Sequence, residues 1–492
     1  MSDNDVTCKS TFAMDKPNLL LIMCDQLRAD VLGCYGNSLV QTPHIDRLAA
    51  EGMVFERAYS QTPVCVPARY GLISGQAPFE VGLLENGKPG NVQFPLPAQL
   101  RECGYFSTAV GKMHFSPPRR HFGFDRMYLS EEIPGHFADD DYLQYLRVNG
   151  FGDIHEPHGK RSAHYYEPQI SPLPKEHHTT AWTAKTACEQ LRLNRNRPSF
   201  TFCSFIKPHP PFDPCKPYDT LYAENEMPLP VDWKNEKPSG DYLIDVQNDY
   251  KVNGVENVSD ADVRRIRAAY YGCVTQIDEQ IGTILDTLDE CGLAENTLVV
   301  FTADHGEMLG DHNSFGKRTF YEASARIPFI VRWPKRIKPG HDKNHLMLLQ
   351  DIYASFITAA GGNVPDISCG KDFLPLCENK TSPWRERITG EIGRDSRMKL
   401  MLLEGNLKYI FHCNGGRENL FDLNADPHEL NDIAAARPDY CAQCRRELTS
   451  SYQQRGLIEA LENGTLKVLS EQHHERKGFL NQYPHWPETI MD

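Results

Sequence analysis

The chain has 492 residues with 52 Lys+Arg against 66 Asp+Glu, a formal net charge of −14, and it is 40% hydrophobic and 24% charged. These are globular values that exclude global disorder. The acidic balance argues against nucleic acid or an anionic membrane surface as the main partner.

The first element is the apolar run Leu19–Cys24, which stops at Asp25-Gln26 and reads as a strand buried on both faces. A helix follows over His44–Gly52, with Thr42 as its cap and Pro43 in its first turn. Residues 125–171, rich in Asp, His, Gly and Tyr, have weak periodicity and read as insertion loops over the sheet edge, where recognition often resides. A second buried strand, Ser199–Ile206, stops at Lys207-Pro208-His209. Ala261–Cys291 is a long amphipathic helix with Val274, Ile277, Ile281, Ile284, Leu285 and Leu288 on one stripe and Gly292 at its C-terminal cap. It leads into a third buried strand, Thr297–Thr302, which stops at Asp304-His305. Residues 377–387 read as a linker. Beyond it lie an antiparallel hairpin, Lys399–Leu403 and Leu407–Phe411, and a helix over Pro438–Glu462.

The expected fold class is α/β: a large mixed, mostly parallel sheet flanked by helices over residues 1–380, then a smaller α+β subdomain over 381–492 built on a short antiparallel sheet. The 15 cysteines form no dense disulfide framework, and the nearest thing to a zinc pair, Cys441 with Cys444, has no companion pair, which fits a reducing compartment. The opening MSDNDVTCKSTFAMDKPN lacks a basic n-region and no apolar run reaches a membrane span, so a cytoplasmic protein without a membrane partner is expected.

Three buried strands each end in ligand-capable residues, and sites in open α/β sheets collect at the carboxyl ends of strands. Asp25, Gln26, Asp304 and His305 are oxygen and nitrogen donors that two adjacent strand ends would bring together around a divalent cation. The segment Pro63-Val64-Cys65-Val66-Pro67-Ala68-Arg69 places a thiol one helical turn before a guanidinium, which reads either as a reactive residue in a positive field or as a small buried thiol. Lys112 and His114, two apart on a strand, project to one face and suit gripping an anion. His209, framed by Pro208, Pro210 and Pro211, has the fixed direction a general acid needs.

Cys65-x-Pro67-x-Arg69, followed by Leu72-Ile73-Ser74-Gly75, resembles the signature of the type I sulfatases of the alkaline-phosphatase-like superfamily, with Ala68 where Ser is usual. The resemblance extends over Asn18–Gly36, Thr42–Tyr59, Tyr270–His312, Tyr321–Pro334 and Asn419–Asn431. It implies a sulfuric ester hydrolase in which a formylglycine-generating enzyme converts Cys65 to Cα-formylglycine, whose hydrate is the nucleophile. A plain Ser or Cys would be trapped as a stable ester, so the chemistry needs a geminal diol. The resemblance also implies one metal ion held by Asp25, Gln26, Cys65, Asp304 and His305. Ca²⁺ is the family's common ion, while the mixed amide, imidazole and carboxylate set also suits Mn²⁺ or Mg²⁺.

In the same resemblance Arg69 belongs to the recognition motif, Lys112 and Lys317 bind sulfate oxygens, His114 hydrogen-bonds the hydrate and His209 protonates the leaving group. Asn86, Lys88 and Arg119-Arg120-His121 are nearby candidates for a polar substrate pocket, which points to a sulfated carbohydrate or an aryl sulfate. Gln26 and the Gly111–Phe115 wording give local resemblance to choline sulfatases, and Gln26 to phosphonate monoester hydrolases, whereas Gly111-Lys112-Met113-His114 argues against the phosphonate branch. A choline head would need a cage such as Tyr142, Tyr145 and Asp139–Asp141, a stretch that reads more simply as a solvated loop. The remaining readings are a choline sulfatase, a phosphonate monoester or phosphodiester hydrolase on the same scaffold, or an inactive sulfate-binding protein. An oligomer is compatible with all of them.

Overall fold

The computed structural model describes residues 16–87, 89–161, 165–234 and 241–475. Lys88, the opening segment and the end of the C-terminal tail lie outside these residues. The main sheet has eight strands: β1 Asn18–Asp25, β2 Met53–Phe55, β3 Phe106–Gly111, β4 Arg126–Leu129, β5 Ser199–Pro208, β6 Thr297–Ala303, β7 Phe329–Arg332 and β8 Gly340–Asp342, in the order β8-β2-β7-β6-β1-β5-β3-β4. Strands β6, β1, β5, β3 and β4 are mutually parallel, and only β7 runs against its neighbours. Every residue of β1, β5 and β6 is buried, which explains why these strands read as unbroken apolar runs rather than alternating ones.

Around the sheet lie α1 (Pro43–Ala50), α2 (Cys65–Ser74), α3 (Asp141–Val148), α4 (Thr179–Asn194), α5 (Asp260–Glu290) and α6 (Gln350–Ala359). The apolar stripe of α5 is buried throughout, and Gly292 lies just beyond its end with φ +67°. Thr42 precedes α1 but does not cap it. Its hydroxyl accepts from Gly33 N (2.9 Å) and donates to Asp46 (3.2 Å), while Asp278 of α5 accepts from Ile45 N (2.7 Å) and His44 N (3.1 Å). A tertiary carboxylate has taken the cap's work.

Beyond residue 380, strands β9 Arg387–Ile392, β10 Lys399–Glu404, β11 Leu407–His412 and β12 Glu418–Asp422 form an antiparallel sheet. The expected hairpin is β10–β11. Helix α7 is shorter than expected, Pro438–Arg455, because Gly456 adopts φ +82° and closes it. Cys441 and Cys444 face its buried side. The small sheet packs on two sides: Ile388, Met401, Leu403 and Ile410 share one apolar cluster with Tyr59, Val64 and Phe320, while Leu400, Leu402, Tyr409 and Phe411 cluster with Cys441, Leu448 and Tyr452 of α7.

Residues 125–171 are more ordered than loops. They contain β4 and α3, the latter capped by Asp140, which accepts from Leu143 N (2.8 Å). The strand leading to Lys112 also ends earlier than expected, at Gly111 (φ +90°), where a Cβ would stand 2.0 Å from Ser204 O, so only glycine fits. Lys112 and His114 therefore reach the site from a turn, His114 with φ +57°, and not from one face of a strand. Among the described residues no helix is long and apolar enough to cross a membrane.

Candidate active site

The five adjacent parallel strands from β6 to β4 deliver polar residues to one end of the sheet. Strand β1 ends at Asp25-Gln26, β6 leads to Asp304-His305, β5 to His209, β3 to Lys112 and β4 to Glu131-Glu132. Opposite them, α2 starts at Cys65 after extended Val64, so the side chain of position 65 emerges at a helix N-terminus, where unpaired amides favour negative charge. Cys65 is 1% exposed, and its sulfur lies 2.9 Å from Lys317 Nζ and 3.2 Å from His305 Nε2. Burial alone would raise the thiol's pKa, but Lys317, Lys112 and His305, with a hydrogen bond from His114, pull it well below the ordinary value. Position 65 thus favours an anionic side chain. His114 Nδ1 is buried without a partner among the described residues.

The two strand-end carboxylates are bridged by Arg69, four residues along α2 from Cys65. Its guanidinium donates to Asp304 Oδ2 (2.9 Å) and Asp25 Oδ2 (3.3 Å), and also to Lys112 O (2.6 Å) and Ser204 Oγ (2.8 Å). Desolvation would raise the Asp25 pKa, yet Lys112, His209 and Lys317 hold it down at about 2. Ligand atoms of Asp25, Cys65, Asp304 and His305 all lie within 4.8 Å of one another. His305 Nδ1 donates to Gly306 O (3.0 Å), so Nε2 is the ring atom that faces the two carboxylates at 3.7 and 3.6 Å and would offer its lone pair to a bound ion. That tautomer is the one a metal-ligating histidine uses. Gln26, at φ +64°, turns its amide oxygen toward Lys317 Nζ (2.7 Å) while its amide nitrogen donates to Glu307. The donor set fits one hard divalent cation.

Lys112 is fully buried with its ammonium 2.5 Å from both Asp25 Oδ2 and Glu132 Oε2. His209, 4% exposed, has Nδ1 2.7 Å from Pro210 O and Nε2 3.4 Å from Glu132 Oε2. Burial outweighs the pull of Glu132 and pushes the imidazole down to about 3.

Four residues here escaped the sequence reading. Glu132 pairs with Lys112, His209 and Arg161. Glu307 accepts from Tyr166 OH (2.7 Å), Leu309 N (2.9 Å) and Gly316 N (2.7 Å) and so orients Gln26. The signal for Glu132 existed, since Met127–Ser130 is another run that stops at acidic residues, but β4 is too short to stand out. Glu307 lies two residues past His305; nothing in the sequence marks Arg161 or Tyr166.

Other expected residues are not brought in. Asn86 is exposed and its Oδ1 accepts from Val66 N (3.2 Å), serving the first turn of α2. Arg119 is exposed and paired with Asp141 at 3.0 Å, Arg120 lies over the Phe122 ring, and His121 accepts from Gly123 N. Tyr142 and Tyr145 are not an open cage: their hydroxyls bond His177, and Asp140 and Asp141 accept from backbone amides.

Against known proteins, the Sulfatase family profile matches residues 17–362, and that of the N-sulphoglucosamine sulphohydrolase C-terminal region matches 310–455. An arylsulfatase of Clostridium perfringens is 33% identical over 85% of this chain and 90% of its own length. A choline-sulfatase of Rhizobium meliloti is 27% identical, covering 85% of this chain and 82% of its own length. The solved phosphonate monoester hydrolase of Agrobacterium radiobacter superposes with a TM-score of 0.78 at 25% identity, covering 92% of this chain and all of its own. With a profile match spanning most of the chain and a relative at this identity and coverage, the chain belongs to the sulfatase family of the alkaline-phosphatase-like superfamily.

Proposed function

We propose that this sulfatase hydrolyses a sulfate monoester of a carbohydrate or an aryl alcohol, releasing the alcohol and sulfate, with the nucleophile at position 65. The observation that carries the reading is the convergence on Cys65 of Lys317 Nζ at 2.9 Å and His305 Nε2 at 3.2 Å beside two buried carboxylates. As formylglycine, made by a formylglycine-generating enzyme, position 65 supplies a hydrated aldehyde in place of a thiol. Asp25, Gln26, Asp304 and His305 would hold one divalent ion, Ca²⁺ by family and Mn²⁺ or Mg²⁺ by donor type, which when bound supplies positive charge that favours an anionic nucleophile.

The chain's own residues have distinct parts. Lys112 and Lys317 grip the sulfate oxygens and neutralise charge as it develops on them. His114 holds the hydrogen at position 65, and His209 donates a proton to the departing oxygen. Arg69 keeps the two carboxylates apart and correctly turned, and Glu307 does the same for Gln26. Water is kept out by burial of every one of these groups except His114, which is half-buried. A division into a catalytic unit over 1–380 and a subdomain over 381–492 accompanies this reading, the second sharing an apolar cluster with Val64, the residue before Cys65.

The test is turnover of 4-nitrophenyl sulfate against a phenylphosphonate monoester by protein co-produced with a formylglycine-generating enzyme. Higher kcat/KM on the sulfate supports the reading. Higher kcat/KM on the phosphonate replaces it with the phosphonate hydrolase that the structural neighbour and Gln26 favour.

A further inference from the structure

A carboxylate facing the sulfate-gripping lysine works against anion binding unless it does something else. Glu132 is such a group: it is 7% exposed, and its Oε2 lies 2.5 Å from Lys112 Nζ and 3.4 Å from His209 Nε2. Its other oxygen, Oε1, is taken by Arg161, itself 3% exposed, so the carboxylate cannot rotate away from the site. The histidine is constrained from the opposite side. Its Nδ1 lies 2.7 Å from Pro210 O, and a carbonyl only accepts, so Nδ1 carries a hydrogen and Nε2 is the ring atom left to exchange a proton with substrate. Ligand atoms of Cys65, Glu132 and His209 lie within 4.8 Å of one another, which keeps Nε2 beside the reacting group.

We propose that Glu132, anchored by Arg161, is the positioning residue for proton delivery to the leaving group. One of its oxygens holds the Nε2 edge of His209 toward the departing ester oxygen, while Lys112 keeps its place through Asp25. This deepens the sulfatase reading above and rests on it. In the step concerned His209 is doubly protonated, its second hydrogen held on Nε2 by Glu132 and by the negative charge of the bound ester. As the nucleophile at position 65 bonds to sulfur, the sulfur–oxygen ester bond breaks, its electron pair stays on the departing oxygen, and the Nε2 proton passes to that oxygen. This leaves a neutral imidazole that is reprotonated from solvent when the next anionic ester binds. Glu132 exchanges no proton with the substrate.

General acid assistance matters most when the departing oxygen is basic, which gives the test a readout that a structural role alone would not move. Glu132→Gln keeps the shape and removes the charge. In formylglycine-converted protein it is expected to lower kcat on phenyl sulfate by about 10²-fold or more, but on 4-nitrophenyl sulfate by less than about 10-fold. His209→Ala should show the same selectivity, and the double variant should be no worse than His209→Ala alone. An equal loss on both substrates, or additive losses in the double variant, overturns the proposal. If Glu132→Gln does not fold, Arg161→Gln loosens the same carboxylate and must show the same selective loss; a uniform loss there overturns the proposal as well. Wild-type protein that turns over neither sulfate refutes the sulfatase reading itself, an outcome distinct from a wild type that works beside a non-selective variant.

Discussion

Replacing Arg69 by Ala removes a guanidinium that touches both strand-end carboxylates. Arg69, Asp25 and Asp304 are all buried, so the variant leaves two carboxylates in the interior short of a partner, along with Lys112 O and Ser204 Oγ short of a donor. Breaking a buried ion pair from one side costs about 3–5 kcal/mol. Lys112 and His305 remain beside the carboxylates and hold the loss near that figure rather than at twice it. At about 2 °C per kcal/mol, Tm in the presence of a chelator falls by about 6–10 °C. Removing a positive charge beside a cation site also strengthens the site's pull on a cation. Added divalent ion should therefore raise the variant's Tm by more than it raises the wild type's. Scanning calorimetry with and without chelator measures both. An unchanged Tm in chelator refutes the buried pairing, and an equal metal response in variant and wild type refutes placement of the ion beside these carboxylates.

In unconverted, metal-free protein, Cys65 should titrate as a thiolate well below the ordinary thiol range, because Lys317, Lys112 and His305 outweigh burial. Lys317→Ala should raise that titration, followed as thiolate ultraviolet absorbance against Cys65→Ala; no movement sinks the assignment of Lys317. Asp304→Ala should weaken divalent-ion binding by calorimetry by at least about 10-fold, and a chelator should abolish turnover reversibly. Near the C-terminal sheet, Lys408 is buried between Glu322 (2.6 Å) and Glu429 (2.8 Å), and burial pushes Glu429 up to about 7 despite that partner. The folded chain then holds a proton on Glu429 that the unfolded chain releases above its ordinary pKa of 4.5, so this group's contribution to stability falls as pH rises toward 7. Denaturant unfolding of Glu429→Gln should shift in the variant's favour from about pH 5 to about pH 8; a difference independent of pH contradicts the raised value.

The three strands buried on both faces and the long amphipathic helix were legible because a buried strand and a half-buried helix each leave their own period in the sequence. The candidate site was legible where such a strand stopped at polar residues that converge near Cys65, as at Asp25, His209 and Asp304. Strand β4 has four residues, too few for a period, so Glu132 stayed hidden in what reads as loop. Arg161 and Tyr166 reach the site only through tertiary packing, which no local pattern records. Thr42 shows the opposite error: a good local cap whose role passed to a carboxylate far away in sequence. The candidate pocket residues Asn86 and Arg119 lie on the surface, Asn86 bonded to Val66 N and Arg119 paired with Asp141; proximity along the chain to Cys65 or Lys112 does not decide which way a surface side chain faces.

The central claim is that an oxidised side chain at position 65 performs the chemistry. Mass spectrometry of the peptide containing residue 65, on samples made with graded amounts of a formylglycine-generating enzyme, gives the aldehyde fraction to set against turnover of 4-nitrophenyl sulfate. The account predicts that turnover rises in proportion to that fraction and vanishes with the thiol alone; full turnover by a sample carrying only the thiol would contradict it.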